Sequence, residues 1–290
     1  MFADAYEVAS AFTVPVVVSM RFHTGEVECS VGAAIVVNRD GWLVTAAHML
    51  QPLDLHRGHQ AGIAAYDQQV DEIRSGAGTS SEKQERIGTL AGNDCWLRNV
   101  SMWFGQDEWS IPTFHVLRGA DLALGRIERF DPSVITGYPS FREPATIRSA
   151  SSVCRLGFPF HEITATYDDE TSAFNLGPGS LPIPRFPNEG IITRFIGSGT
   201  DDGIDVTLIE ASTAGLRGQS GGPIFDVSGA VCGMQSKTAH LKLGFSPEVD
   251  EGDQKVVEHQ FLNVGLGVHA RTMLAFFDRH GVEAAVGANL

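Results

Sequence analysis

A chain of 290 residues that is 43% hydrophobic can bury one large core or two small ones. Its formal charge of -14 comes with no Lys/Arg cluster, which argues against a nucleic-acid partner. No apolar run of about 18 residues is present to cross a membrane as a helix, so no membrane partner is expected. The 32 glycines, 13 prolines and short β-branched runs point instead to many strands joined by tight turns.

In chain order, Met1 to Ala11 carries Asp4 and Glu7 but no basic residue and no long apolar run. Nothing there reads as a secretory signal, and the expected location is cytoplasmic. Val14–Phe22, Val31–Asn38 and Trp42–Thr45 read as strands, with Asn38-Arg39-Asp40-Gly41 as the turn between the last two. His48 then falls on a short helical turn, where the small Ala46 and Ala47 let its imidazole approach neighbours closely. Residues 51–92 are polar, and Glu82-Lys83-Gln84-Glu85-Arg86 reads as a solvated charge cluster. Asp121 to Ile127 reads as a strand, and the long interval from His48 implies an insertion or extended loops around 51–115.

Asp131 to Ser149, with Pro132, Pro139 and Pro144, suits a linker. Beyond it, His161–Glu189 and Thr238–Glu258 read as two long polar loops. Met273, Leu274, Phe276 and Phe277 have helical spacing, so the chain is expected to close with a helix within 269–282.

Chemistry concentrates in Ala214-Gly215-Leu216-Arg217-Gly218-Gln219-Ser220-Gly221-Gly222-Pro223, which sets one serine in a nest of glycines. Glycines permit a tight backbone that exposes a hydroxyl and aims N–H groups at a developing oxyanion. Thr45-Ala46-Ala47-His48 and Asp121-Leu122-Ala123-Leu124 lie upstream, giving the order His, Asp, Ser. That is one of three orders known for the catalytic triad. The roles would be Ser220 as nucleophile, His48 as general base and Asp121 as the group that fixes the imidazole. The N–H groups of Gly218 and Ser220 would bind the oxyanion. An α/β-hydrolase elbow also fits Gly218-Gln219-Ser220-Gly221-Gly222. It would need a helix at once, whereas Pro223 and Ile224-Phe225 begin a strand.

These segments resemble the trypsin-like serine peptidases, closest in motif style to bacterial Deg-type members. Val153-Cys154-Arg155-Leu156-Gly157-Phe158-Pro159-Phe160 and Gly190-Ile191-Ile192-Thr193 are similar to the strands that open their second barrel. The stretch from Ile224 to Ser236 is similar to the hairpin after their nucleophile. The resemblance implies a single all-β peptidase domain over 1–290, built of two six-stranded antiparallel β-barrels of the chymotrypsin type and a C-terminal α-helix. The first barrel would span 1–132 and the second 150–268, with no room after the helix for the PDZ domain that Deg-type proteases usually append.

It further implies hydrolysis of protein or peptide substrates through an acyl-enzyme, without metal or organic cofactor. Ala214 would floor the primary specificity pocket, with Gly215 beside it and Ser236 on the strand that pairs with substrate. An uncharged floor would not favour Arg or Lys; apolar or small side chains before the scissile bond are expected. Met49 stands where animal relatives carry a cysteine, so Cys29, Cys95, Cys154 and Cys232 are expected to be free thiols. Gln219 replaces the aspartate of propeptide-activated relatives, and control by loop ordering or a regulatory protein partner is expected instead. The alternative is a non-catalytic binding module on the same scaffold.

Overall fold

The computed structural model describes residues 2–245, 248–251, 254–257 and 260–287. A short helix α1 (Ala3–Ser10) leads into β1 (Thr13–Phe22), β2 (Val27–Val36) and β3 (Trp42–Ala46). The β2–β3 turn is made by Asn38, whose Oδ1 accepts the N–H groups of Asp40 at 3.1 Å and Trp42 at 3.4 Å. Gly41 completes it at a φ of 80°, where a side chain would also strike Phe130.

The expected polar insertion is helical. After a 3-10 turn at Ala47–Leu50 come α2 (Gln51–Ser75) and α3 (Ser80–Gly88). Only Ile63, Val70 and Ile73 of α2 are buried, a thin stripe of helical spacing that composition hides. Helix α3 starts on a capping box, Thr79 with Glu82. Strands β4 (Leu97–Trp103), β5 (Phe114–Leu117) and β6 (Leu122–Arg126) complete a six-stranded antiparallel sheet in the order β4-β1-β2-β3-β6-β5. Arg98 of β4 clamps α2 to it through both oxygens of Asp67, at 3.0 and 2.7 Å.

The second half contains β7 (Ser140–Phe141), β8 (Ser152–Gly157), β9 (Ala165–Asp168), β10 (Ala173–Leu176), β11 (Phe186–Asp201), β12 (Ile204–Ala211) and β13 (Pro223–Phe225). It continues with β14 (Val231–Lys242), β15 (Glu248–Glu251), β16 (Gln254–Val257) and β17 (Phe261–His269). Helix α4 (Ala270–Arg279) and β18 (Ala285–Val286) close the chain. The order β13-β8-β11-β12-β17-β14 is closed by β13–β14 pairing into a six-stranded barrel, and the two-residue strands β7 and β18 extend it by short parallel pairings. His161–Glu189 is not all loop: β9 and β10 form a hairpin and β11 begins at Phe186. Thr238–Lys242 likewise prolongs β14, while the rest of that expected loop lies partly outside the described residues.

One apolar cluster runs through both sheets, joining Val16, Leu43 and Leu124 to Val153, Ile209 and Val268. Helix α4 adds Met273, Phe276 and Phe277 to it, the face its spacing predicts.

Candidate active site

The site lies where the two sheets meet. His48 follows β3 directly, on the 3-10 turn, and Asp121 enters β6, the neighbour of β3. Asp121 has a φ of 56°, a left-handed conformation uncommon outside glycine. In that conformation its backbone oxygen accepts the Ala47 N–H at 3.0 Å, and its Oδ1 accepts the His48 N–H at 2.9 Å. Its Oδ2 lies 2.8 Å from His48 Nδ1 and accepts the Ser236 hydroxyl at 2.6 Å. Because a carboxylate can only accept, Nδ1 carries the proton and Nε2 is left as the acceptor. Burial would raise the Asp121 carboxyl, but the bonds from His48 and Ser236 outweigh it and hold it below its ordinary range.

Ser220 is fixed by its backbone. Its carbonyl accepts the Ala33 N–H at 2.7 Å, tying the loop to β2 of the other sheet. Gly221 donates to Gln235 O, and Gln235 donates to Gly222 O, each at 2.8 Å. Gly221 has a φ of 87°, and a side chain there would run into the Ala33 carbonyl and the Thr45 hydroxyl. Gly218, at a φ of 93°, leaves room for the Phe158 carbonyl, which a Cβ would approach to 2.5 Å. The N–H groups of Gly218 and Ser220 find no acceptor among the described residues. The Ser220 hydroxyl donates to Ser236 O at 3.3 Å.

Gln219 holds the turn before Ser220 with its own bonds. It is fully buried, and its Oε1 accepts the Leu216 N–H at 3.0 Å while its own N–H donates to Leu216 O at 3.0 Å. The turn that carries Gly218 is therefore held by its own side chain, without an ion pair.

A cavity of about 670 Å³ opens beside Ser220 and brings together His48, Asp121, Ala214, Gly215, Ser220 and Ser236. Gly218 sits on the same loop but outside that lining. Asn188 Nδ2 donates to Ala214 O at 2.9 Å, and Thr238 Oγ1 donates to Gly215 O at 2.6 Å. Sequence reasoning missed Asn188 and the Ser236–Asp121 bond. It also passed over Arg155, for which an arginine in an apolar strand was the available signal. No group of three potential metal ligands occurs among the described residues, whose helices include none long and apolar enough to cross a membrane. The four cysteines are unpaired.

Residues 32–234 match the trypsin-like peptidase domain family. No curated protein matches the sequence. Among solved structures, the HtrA-type protease AlgW with a tripeptide is similar at 13% identity and a TM-score of 0.49, over 97% of this chain and 65% of its own. The Rv3671c protease from M. tuberculosis, in its active form, is similar at 16% identity and a TM-score of 0.48, over 98% of this chain and 87% of its own.

Proposed function

The chain belongs to the trypsin-like peptidase domain family, and on that premise we propose that it is a serine endopeptidase working through Ser220, His48 and Asp121. Ser220 Oγ attacks the scissile carbonyl carbon while His48 Nε2 takes its proton. The carbonyl oxygen becomes an oxyanion and receives the N–H groups of Gly218 and Ser220, where one donor is worth roughly 3 kcal/mol. The tetrahedral adduct collapses, His48 gives its proton to the departing amine, and an acyl-ester remains on Ser220. Water then attacks that ester with His48 again as base, releasing the new carboxyl end and restoring the serine. Asp121 stays ionised and steadies the imidazolium, and Ser236 steadies Asp121.

The observation that carries this reading is the chain of bonds Ser236–Asp121–His48 on the wall of the cavity that holds Ser220. Ala214 and Gly215 line that cavity with uncharged residues, in keeping with a site that does not favour Arg or Lys. Four unpaired thiols suit a reducing compartment, in keeping with a cytoplasmic location. A regulatory partner would have the β9–β10 hairpin, much of it exposed, to grip.

One observation favours the non-catalytic alternative. The Ser220 hydroxyl donates to Ser236 O, and no hydrogen bond joins it to His48 among the described residues. A fluorophosphonate probe decides between the two. It is expected to label the wild type and not Ser220→Ala, with peptide hydrolysis lost in the same variant and its melting temperature kept. An unlabelled wild type supports the binding module.

A further inference from the structure

Under the floor of the cavity lies a charge that the hydrolytic chemistry leaves unused. Arg155 stands on β8 between apolar neighbours and is only 1% exposed. Its guanidinium donates to Gln235 Oε1 at 3.2 Å and to Thr213 Oγ1, both neutral. These two acceptors face five N–H donors. No carboxylate among the described residues lies within salt-bridge reach of it, and burial pushes its pKa down to about 10. A buried cation without a counter-charge is destabilising, so its place in the fold asks for a reason.

The partners of Arg155 connect it to the cavity. Gln235 is part of the lining, and Thr213 immediately precedes the floor residues Ala214 and Gly215. A side chain at Gly265 would overlap the guanidinium, and one at Gly215 would overlap the Gln235 amide. Bare backbone at Gly265 therefore lies against the guanidinium, and bare backbone at Gly215 against the amide of its acceptor Gln235. The rim carries the same sign as Arg155. Arg217 and Lys237 line the same cavity, and its one carboxylate, Asp121, is already bonded to His48 and Ser236. This basic lining belongs to a chain whose formal charge is -14. A Lys or Arg side chain would be repelled here, and an apolar one would gain nothing from these cations. A carboxylate in the cavity would supply the missing counter-charge, and an attraction that passes through the buried Gln235 layer rather than through water is weakly screened.

We propose that the cavity beside Ser220 selects Asp or Glu before the scissile bond, with Arg155 as the specificity-determining charge beneath the floor and Arg217 and Lys237 at the rim. This selectivity rests on the peptidase reading above.

The test uses fluorogenic peptides that differ only at that residue, with Glu, Gln, Asp, Asn, Leu and Lys compared on the whole chain. Gln has the shape of Glu without its charge, so their ratio of kcat/KM isolates the electrostatic part. The wild type is expected to prefer Glu over Gln by roughly tenfold or more. Arg155→Met keeps the stem and removes the charge, and should bring that ratio toward one. Should Arg155→Met fail to melt cooperatively, Arg217→Gln with Lys237→Gln, both at exposed sites, should still lower the ratio severalfold. Equal rates for Glu and Gln in a wild type that the fluorophosphonate labels overturn the acid preference alone. Absence of both labelling and cleavage overturns the peptidase reading and the preference with it.

Discussion

Asp121 shows how much one residue can be asked to do. Its left-handed backbone presents both carboxylate oxygens to His48, one to the N–H and one to the ring. Such a conformation costs energy and persists only where surrounding bonds impose it, as the Ala47 and Ser236 bonds do here. Asp121→Asn would turn an amide toward Nδ1 and allow the wrong tautomer, so turnover is expected to fall by ~10⁴-fold in steady-state assays. A pH effect follows from the lowered carboxyl. Its contribution to stability is complete above the ordinary carboxylate range and is lost as pH falls through the depressed value. The gap in melting temperature between wild type and Asp121→Asn should therefore hold from neutral pH down to the ordinary carboxylate range and shrink below it. A gap that stays constant would mean that Asp121 is not held by these bonds.

At the scale of elements, α4 depends on an unusual cap. His269 ends β17 and its Nδ1 accepts the Arg271 N–H at 2.9 Å, so the ring must be neutral there. Burial, and then the charge of Arg271, pushes its pKa from 6.5 down to about 4. The stability this cap supplies is complete above pH 6.5 and is lost as pH falls toward 4. His269→Asn keeps a side-chain acceptor at the cap but cannot titrate. Its melting temperature should be lower than the wild type's near neutrality, and flatter between pH 6.5 and 4. Parallel curves across that window would show that His269 does not link acid to unfolding. Helix α2 makes a different point: three buried side chains and the Arg98–Asp67 clamp hold 25 residues that look like a solvated loop.

For the whole molecule, the continuous core and the Ser220–Ala33 bond make the two sheets one mechanical unit, with the proposed catalytic residues drawn from both. No cross-link assists this, since all four thiols are free. Burial pushes the Cys154 thiol up to about 11 and that of Cys232 up to about 12, so both are poor nucleophiles in the folded protein. Iodoacetamide near neutral pH is expected to modify exposed Cys95 in the folded protein, and Cys154 and Cys232 only after unfolding. Dithiothreitol should leave the melting temperature unchanged, and a clear fall would reveal a bridge.

The amino-acid order by itself determined what depends on neighbours in the chain. Glycines around Ser220, small residues before His48 and an apolar run after Asp121 each fix a local backbone and side-chain direction. So do the Asn38–Gly41 turn and the spacing of Met273, Phe276 and Phe277. The tertiary structure decided whatever depends on bonds between distant residues. Ser236 and Asp121 are separated by 115 positions, and Arg155 and Gln235 by 80. Neither pair has a local pattern, because a hydroxyl or guanidinium finds its acceptor only when two strands are brought side by side. The same holds for α2, whose thin apolar stripe is weak as an isolated helix and becomes stable where β4 gives it a surface to cover.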